Sequence, residues 1–155
     1  ELPEILAERI FLAFSVGHEN HASFQNIQFS PLTIESIYRM ADVVVFPSET
    51  EGRGLPILEA SASGIPIICS HYHPKKVFRD VIGENLPPEL RIKYILFPEG
   101  KFKRAFLNRV SNLLLYPDKN HFLITHNKAA IRTRYGRDSF NAKFEQLLKH
   151  VSTLK

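Results

Sequence analysis

Residues 48–64, SETEGRGLPILEASASG, come directly after the apolar run Val43-Val44-Val45-Phe46-Pro47 and end on Gly64. The apolar run reads as a buried strand, and residues 48–64 read as a glycine-containing loop and a short helix that Gly64 closes. Strand, loop and helix in that order set a helix N-terminus at the carboxyl edge of a parallel sheet, where α/β proteins bind ligands. Gly52 and Gly54 let the backbone come close to a ligand. Pro56 suits the first helical turn, where its missing N–H is no loss. The free N–H groups of that turn, with the helix dipole, suit a phosphate. Glu51 lies in the loop and Glu59 one turn into the helix. Helical side chains lean toward the N-terminus, so Glu59 reaches back toward the loop. Carboxylates accept hydrogen bonds from vicinal hydroxyls. Phosphate donors flanked by two hydroxyl acceptors describe a pocket for a sugar nucleotide.

Composition bounds the alternatives. At 155 residues the chain is expected to be one domain, residues 1–155, with a real core. Its 44% hydrophobic and 23% charged residues are those of a soluble globular protein. No apolar run approaches the roughly 20 residues of a membrane span. The first residues, Glu1-Leu2-Pro3-Glu4, are acidic and lack the apolar core of a leader, so none is expected. The chain starts without Met, which suggests a piece of a longer protein or a processed one. A single cysteine, Cys69, excludes an internal disulfide and fits a reducing compartment, hence a cytoplasmic location. The net charge of +4 suits an anionic ligand or an anionic membrane surface and singles out neither.

Outside the central segment, strands alternate with helices. Residues 3–14 have near-helical apolar spacing, with a strand over 10–16 as the alternative. A short strand is expected over 24–29 and a helix over 33–40, with Ile34, Ile37 and Tyr38 on one face. Further strands are expected over 43–46, 65–69 and 91–97. SHYHP, residues 70–74, is the exit loop of the second of these, and a helix over 75–82 ends at Gly83. A helix over 101–115 has Phe102, Phe106, Val110, Leu113 and Leu114 as its stripe; Pro117 breaks it. Asp118 is expected to cap a helix to Tyr135, closed by Gly136, and Ser139 to cap a last helix whose Phe140, Phe144, Leu147, Leu148 and Val151 share a face. The pattern is α/β: a parallel sheet flanked by helices, with a helical C-terminal tail.

ADVVVFPSETEGRGLPILEASASGIPII, residues 41–68, resembles the donor-binding signature of the retaining glycosyltransferases of family 4, the group 1 glycosyltransferases with the GT-B fold. Their C-terminal Rossmann-like domain has two glutamates with seven residues between them. Glu51 and Glu59 have that spacing, and Pro47, Ser48, Gly52, Gly54, Leu55, Pro56, Ala60, Gly64 and Pro66 fall in place around them. The resemblance extends more weakly over residues 24–151.

The resemblance implies roles. Glu59 would accept hydrogen bonds from the ribose hydroxyls of a nucleotide-diphosphate sugar. Glu51 would act catalytically, touching the transferred sugar and supporting the positive charge that develops on it. Gly52, Gly54 and Leu55 complete the donor site, the N–H groups of Gly54 and Leu55 holding the diphosphate. No cofactor and no metal are implied; helix dipole and basic side chains stabilise the leaving group. The partners implied are the nucleotide-sugar donor and a saccharide, lipid-linked or small-molecule acceptor. A lipid-linked acceptor would bring the enzyme to the membrane periphery.

The chain also departs from the family. Arg53 stands where an aromatic residue is usual, and it either assists the phosphates, reaches an acceptor or is solvated. His71-Tyr72-His73-Pro74-Lys75-Lys76 replaces a glycine-rich turn, which leaves the donor sugar open. The Arg and Lys that clamp the phosphates in the family have no counterpart before residue 24, nor has the acceptor-binding domain, so the chain is expected to be the latter part of a donor domain. The pairs His18/His21 and His71/His73 lack the further ligands of a zinc site. Cys69 is expected to be a small core residue. Lys101, Lys103, Arg104 and Arg109, and Lys128, Arg132, Arg134 and Arg137, are expected on solvated faces, with a membrane-surface patch as the alternative. No nucleic-acid recognition motif is present. Two other classes fit the pattern: a non-catalytic module that keeps the fold, and another GT-B enzyme such as a sugar-nucleotide epimerase. Binding of a nucleoside diphosphate separates the first of these from an enzyme.

Overall fold

The structure, a computed structural model, describes residues 34–153. The elements expected over 3–14 (or 10–16) and 24–29 lie outside the described residues. The chain divides into two compact units, Glu1–Ile37 and Tyr38–Lys155, and the sheet belongs to the second. In chain order the elements are α1 (Ile34–Met40), β1 (Val44–Phe46), α2 (Leu55–Ser63), β2 (Ile67–Cys69), α3 (Lys75–Ile82), β3 (Ile95–Leu96), α4 (Arg104–Leu115), α5 (His121–Tyr135) and α6 (Arg137–Thr153). Single 3₁₀ turns occupy Pro88–Leu90 and Pro117–Asn120.

The three strands form one parallel sheet in the order β1-β2-β3. Val44 pairs with Ile67, Phe46 with Cys69, Ile68 with Ile95 and Cys69 with Leu96. Alternation along β2 sends its side chains to opposite faces, and helices cover both. Ile67 and Cys69 pack with Ile57 and Ala60 of α2, Phe78, Val81 and Ile82 of α3, and Ile131 of α5. Ile68 and Ile95 pack with Leu113, Phe106 and Val110 of α4. β2 is therefore buried on both sides, which is why its sequence is uniformly apolar. Each isoleucine buried in this way contributes about 1.5–3 kcal/mol. The result is the expected Rossmann-like α/β arrangement with a C-terminal helix.

The third strand is shorter than the 91–97 expected. Its early backbone bonds elsewhere: the Ile92 N–H donates to the Ile82 carbonyl at 2.9 Å. The Asn127 side chain takes the Lys93 N–H on Oδ1 and donates from Nδ2 to the Lys93 carbonyl, both at 2.8 Å. The buried Asn127 amide thus stands where a neighbouring strand would be, and the ladder with β2 begins only at Ile95.

Three helix expectations also shift. α4 starts at Arg104, so Phe102 lies ahead of it against Phe97 and Phe106, and Leu114 is exposed. Asp118 falls within the 3₁₀ turn; the corner there is closed by Asn120 Nδ2, which donates to the Tyr116 carbonyl at 2.9 Å. Gly136 closes α5 as expected, its N–H donating to the Arg132 carbonyl at 2.8 Å, in an extended backbone (φ −63°, ψ 161°) that leads directly into α6. Ser139 lies inside α6, its Oγ donating to the Arg134 carbonyl at 3.3 Å, so it does not cap the helix. Arg134 is not on a solvated face. It is 9% exposed, donates to the Asp80 carbonyl at 2.8 Å and the Leu90 carbonyl at 3.4 Å, and lies over the Tyr135 ring. The other basic residues of the two groups are exposed. The stripe Phe140, Phe144, Leu147, Leu148 and Val151 is present on α6 and exposed.

Candidate functional site

The carboxyl edge of the sheet is built by two loops tied together. After β1, Pro47 ends the ladder and the chain runs outward to Thr50, which pairs in parallel with His73 of the β2 exit loop. The Glu51 N–H donates to the His73 carbonyl at 2.9 Å, and the His73 N–H to the Glu49 carbonyl at 2.8 Å. These bonds bring the exit loop of β2 against the start of the 48–64 segment.

The loop then folds onto its own glutamate. Glu51 Oε1 accepts from the backbone N–H groups of Gly52 at 2.9 Å, Arg53 at 3.0 Å and Gly54 at 3.3 Å. Successive N–H groups converging on one oxygen make an anion-binding nest, and here the anion is the loop's own carboxylate. The bonds from Arg53 and Gly54 outweigh an opposing effect of burial and, with a weaker contribution from Gly52, hold the Glu51 carboxyl below the ordinary glutamate value of 4.5. Gly54 is the left-handed residue (φ 63°, ψ 30°) that turns the loop into α2. Pro56 lacks an N–H, and Ile57 and Leu58 donate back to the Gly54 carbonyl at 3.1 and 3.4 Å. Among the described residues, the Leu55 N–H is thus the open donor of the turn. At the other end Gly64 is left-handed too (φ 78°), and the Ile65 N–H returns to the Ala60 carbonyl at 2.9 Å.

Glu59 lies one turn along α2 and is half-buried. Its Oε2 accepts from the Tyr38 hydroxyl of α1 at 3.0 Å. Burial first, then that bond and the carboxylate charge, push the Tyr38 phenol up to about 12, so it stays a donor at neutral pH. The structure therefore brings Glu51, Gly52, Arg53 and Gly54 into one nest, sets Leu55 at its rim, and gives Glu59 a different partner. The Arg53 and Leu55 side chains are exposed.

Two residues of the site have no counterpart in the sequence reading. For Tyr38 the sequence indicates only a helix face; its hydroxyl contact with Glu59 spans 21 residues and leaves no local signal. Tyr72 stands unmarked between two histidines. It is fully buried, with its ring edge-on to Phe46 and Phe78, and its hydroxyl fills the space a side chain on Gly54 would need. Among the described residues that hydroxyl has no hydrogen-bond partner. Leaving a buried hydroxyl unpaired costs about 1–3 kcal/mol. Burial, then the Glu51 charge, push the Tyr72 phenol up to about 12. Burial also pushes the Cys69 thiol up to about 12, which suits an inert core residue.

His71 Nε2 lies 2.9 Å from the Tyr94 hydroxyl, and no group of three potential metal ligands occurs among the described residues. His18 and His21 lie outside them. A hollow of about 200 Å³ beside Asp42, Gly64, Pro66 and Pro117 lies at the amino ends of β1 and β2, opposite the edge that parallel sheets use for ligands. Among the described residues, no helix is long and apolar enough to cross a membrane.

The family model for glycosyl transferases group 1 matches residues 12–129, which include both loops of the carboxyl edge. O-antigen chain mannosyltransferase B of Escherichia coli is 51% identical over 35 residues, 23% of this chain. That segment is 9% of the relative's own length.

Proposed function

The chain belongs to the glycosyl transferases group 1 family, and on that premise we propose that it forms the donor-binding part of a retaining family 4 glycosyltransferase that uses a nucleotide-diphosphate sugar. The observation that carries this reading is the nest at the N-terminus of α2: converging N–H groups already holding a carboxylate oxygen, with a second glutamate one turn further on. Groups that hold one anion can hold another, and a diphosphate brings more charge than a carboxylate. In this reading the diphosphate takes the nest and the Leu55 N–H, and Glu59 accepts from the ribose. Glu51, released from the nest, faces the sugar as positive charge develops on it. Arg53, exposed at the rim, adds a positive charge beside the leaving group. No metal or cofactor takes part.

The likeness to a mannosyltransferase supports a hexosyl donor. The acceptor is a saccharide, a lipid-linked sugar or a small molecule. The exposed basic residues Lys101, Lys103, Arg104 and Arg109 support a cytoplasmic enzyme working at the membrane periphery.

Kinetics on the complete enzyme test the assignment of roles. Ribose contacts are alike in ground and transition states, so Glu59→Ala is expected to raise the donor KM with kcat little changed. Glu51→Ala is expected to lower kcat. Wild-type kinetics in both variants would contradict the reading, and donor binding with no transfer by the wild type would favour the non-catalytic module.

A further inference from the structure

Tyr72 presents a contradiction that the free protein does not resolve. A phenylalanine would fill the same space between Phe46 and Phe78, yet the chain places a hydroxyl there, fully buried and without a partner among the described residues. The hydroxyl points at Gly54, the residue on which the loop turns into α2 and the last of those whose N–H groups hold Glu51. The neighbouring carboxylate is itself committed to the backbone: one Glu51 oxygen accepts all of the nest's bonds. An anion that enters the nest must evict this carboxylate, and an evicted carboxylate needs another donor.

We propose that Tyr72 is a positioning residue for Glu51: when a diphosphate occupies the Gly52–Gly54 N–H groups, the Tyr72 hydroxyl donates to the displaced Glu51 carboxylate and fixes where it stands. This rests on the reading of the α2 N-terminus as the diphosphate site. The unpaired hydroxyl is then the donor kept for the occupied state. The loop has two arrangements, nest holding Glu51 and nest holding ligand, and Tyr72 is satisfied only in the second. Glu51 is fixed by the same event that delivers the donor, so its carboxylate is aimed only when there is a sugar to face. The phenol suits the task, because burial and the Glu51 charge keep it protonated at any physiological pH.

The test is a double-mutant cycle on the complete protein with Tyr72→Phe, Glu51→Ala and the pair. Thermal melting is followed without ligand, and binding of inorganic pyrophosphate, uridine diphosphate and guanosine diphosphate by calorimetry. Tyr72→Phe is expected to melt at the wild-type temperature or above, since it removes an unpaired hydroxyl. It is also expected to bind pyrophosphate about ten- to hundredfold more weakly, the loss of one hydrogen bond to a charged group. In the Glu51→Ala background the same substitution is expected to change binding by less than about twofold, because there is no carboxylate to receive. A lowered melting temperature with weakening that persists without Glu51 would make Tyr72 a packing residue and overturn the proposal. Wild-type affinity in Tyr72→Phe would overturn it too, while leaving the diphosphate site standing. Failure of the wild type to bind any of the three anions would remove the site and the proposal together.

Discussion

The β1–α2 segment and the C-terminal helix α6 both announce themselves by a regular pattern, and they end in opposite conditions. In the first, each feature of the sequence is answered within about 25 residues. Glu51 binds the loop beyond it, Gly54 turns that loop into α2, Gly64 ends α2, and Thr50 is held by His73. In α6 the stripe of Phe140, Phe144, Leu147, Leu148 and Val151 has helical spacing but is exposed along its length. Periodicity states which face is apolar and says nothing of what meets it. A segment whose partners are its own neighbours can be read from sequence through to its geometry. A segment whose partners lie elsewhere can be read only as far as its secondary structure.

Substitution sharpens this contrast. Gly54→Ala is expected to have the largest effect, about 2–4 kcal/mol of lost stability by chemical denaturation. Left-handed backbone costs an ordinary residue ~1–2 kcal/mol and overpacking ~1–3 kcal/mol, and the new methyl would meet the Tyr72 hydroxyl and Val81. A neutral result would mean that the loop is not fixed by that contact. Asn127→Ala comes next, at about 1–3 kcal/mol, because it strips both hydrogen bonds from Lys93. Leu147→Glu on α6 is expected to change the stability of this chain by less than about 0.5 kcal/mol, as for an exposed position. A cooperative loss of the sheet in that variant would break the comparison, since α6 would then be covered.

The smallest effect is the response of the loop to pH. Glu51 titrates below the ordinary glutamate value, so its bonds to the loop are fully present above that value and are lost as pH falls through the depressed one. Amide resonances of Gly52, Arg53 and Gly54 are therefore expected to stay constant from neutrality to the ordinary glutamate range and to move together only below it. Movement near neutrality would mean that Glu51 does not hold the nest.

The same contrast explains what the sequence disclosed. β1, α2, β2 and α3 were legible because Pro47, Gly54, Gly64, Pro66 and Gly83 punctuate them and each strand is an unbroken apolar run, but only β2 is buried on both faces: β1, expected to be buried too, leaves Val45 exposed. The overlong third strand was an error of the same logic. RIKYILF has strand chemistry, but Asn127, 34 residues away, satisfies the backbone of Lys93 in place of a ladder. Arg134 looked solvated because its acceptors from distant segments are main-chain carbonyls, which have no sequence signature. In the site, the glutamates and glycines were legible from spacing and resemblance. That Glu51 would occupy its own nest was not, since a loop's closure on its side chain depends on backbone angles. Tyr72 was hidden for a further reason: its role lies in the geometry of two loops that only the sheet brings together.

The most direct test of the donor site is a calorimetric titration of the complete protein and its Glu59→Ala variant with uridine and guanosine diphosphates. The wild type is expected to bind one of them. The variant is expected to bind that one about one to two orders of magnitude more weakly, the cost of a lost charge-assisted hydrogen bond of ~1.5–3 kcal/mol. Equal affinities in the two proteins, or no heat from either nucleotide with the wild type, would contradict the placement of a nucleotide-sugar donor at the N-terminus of α2.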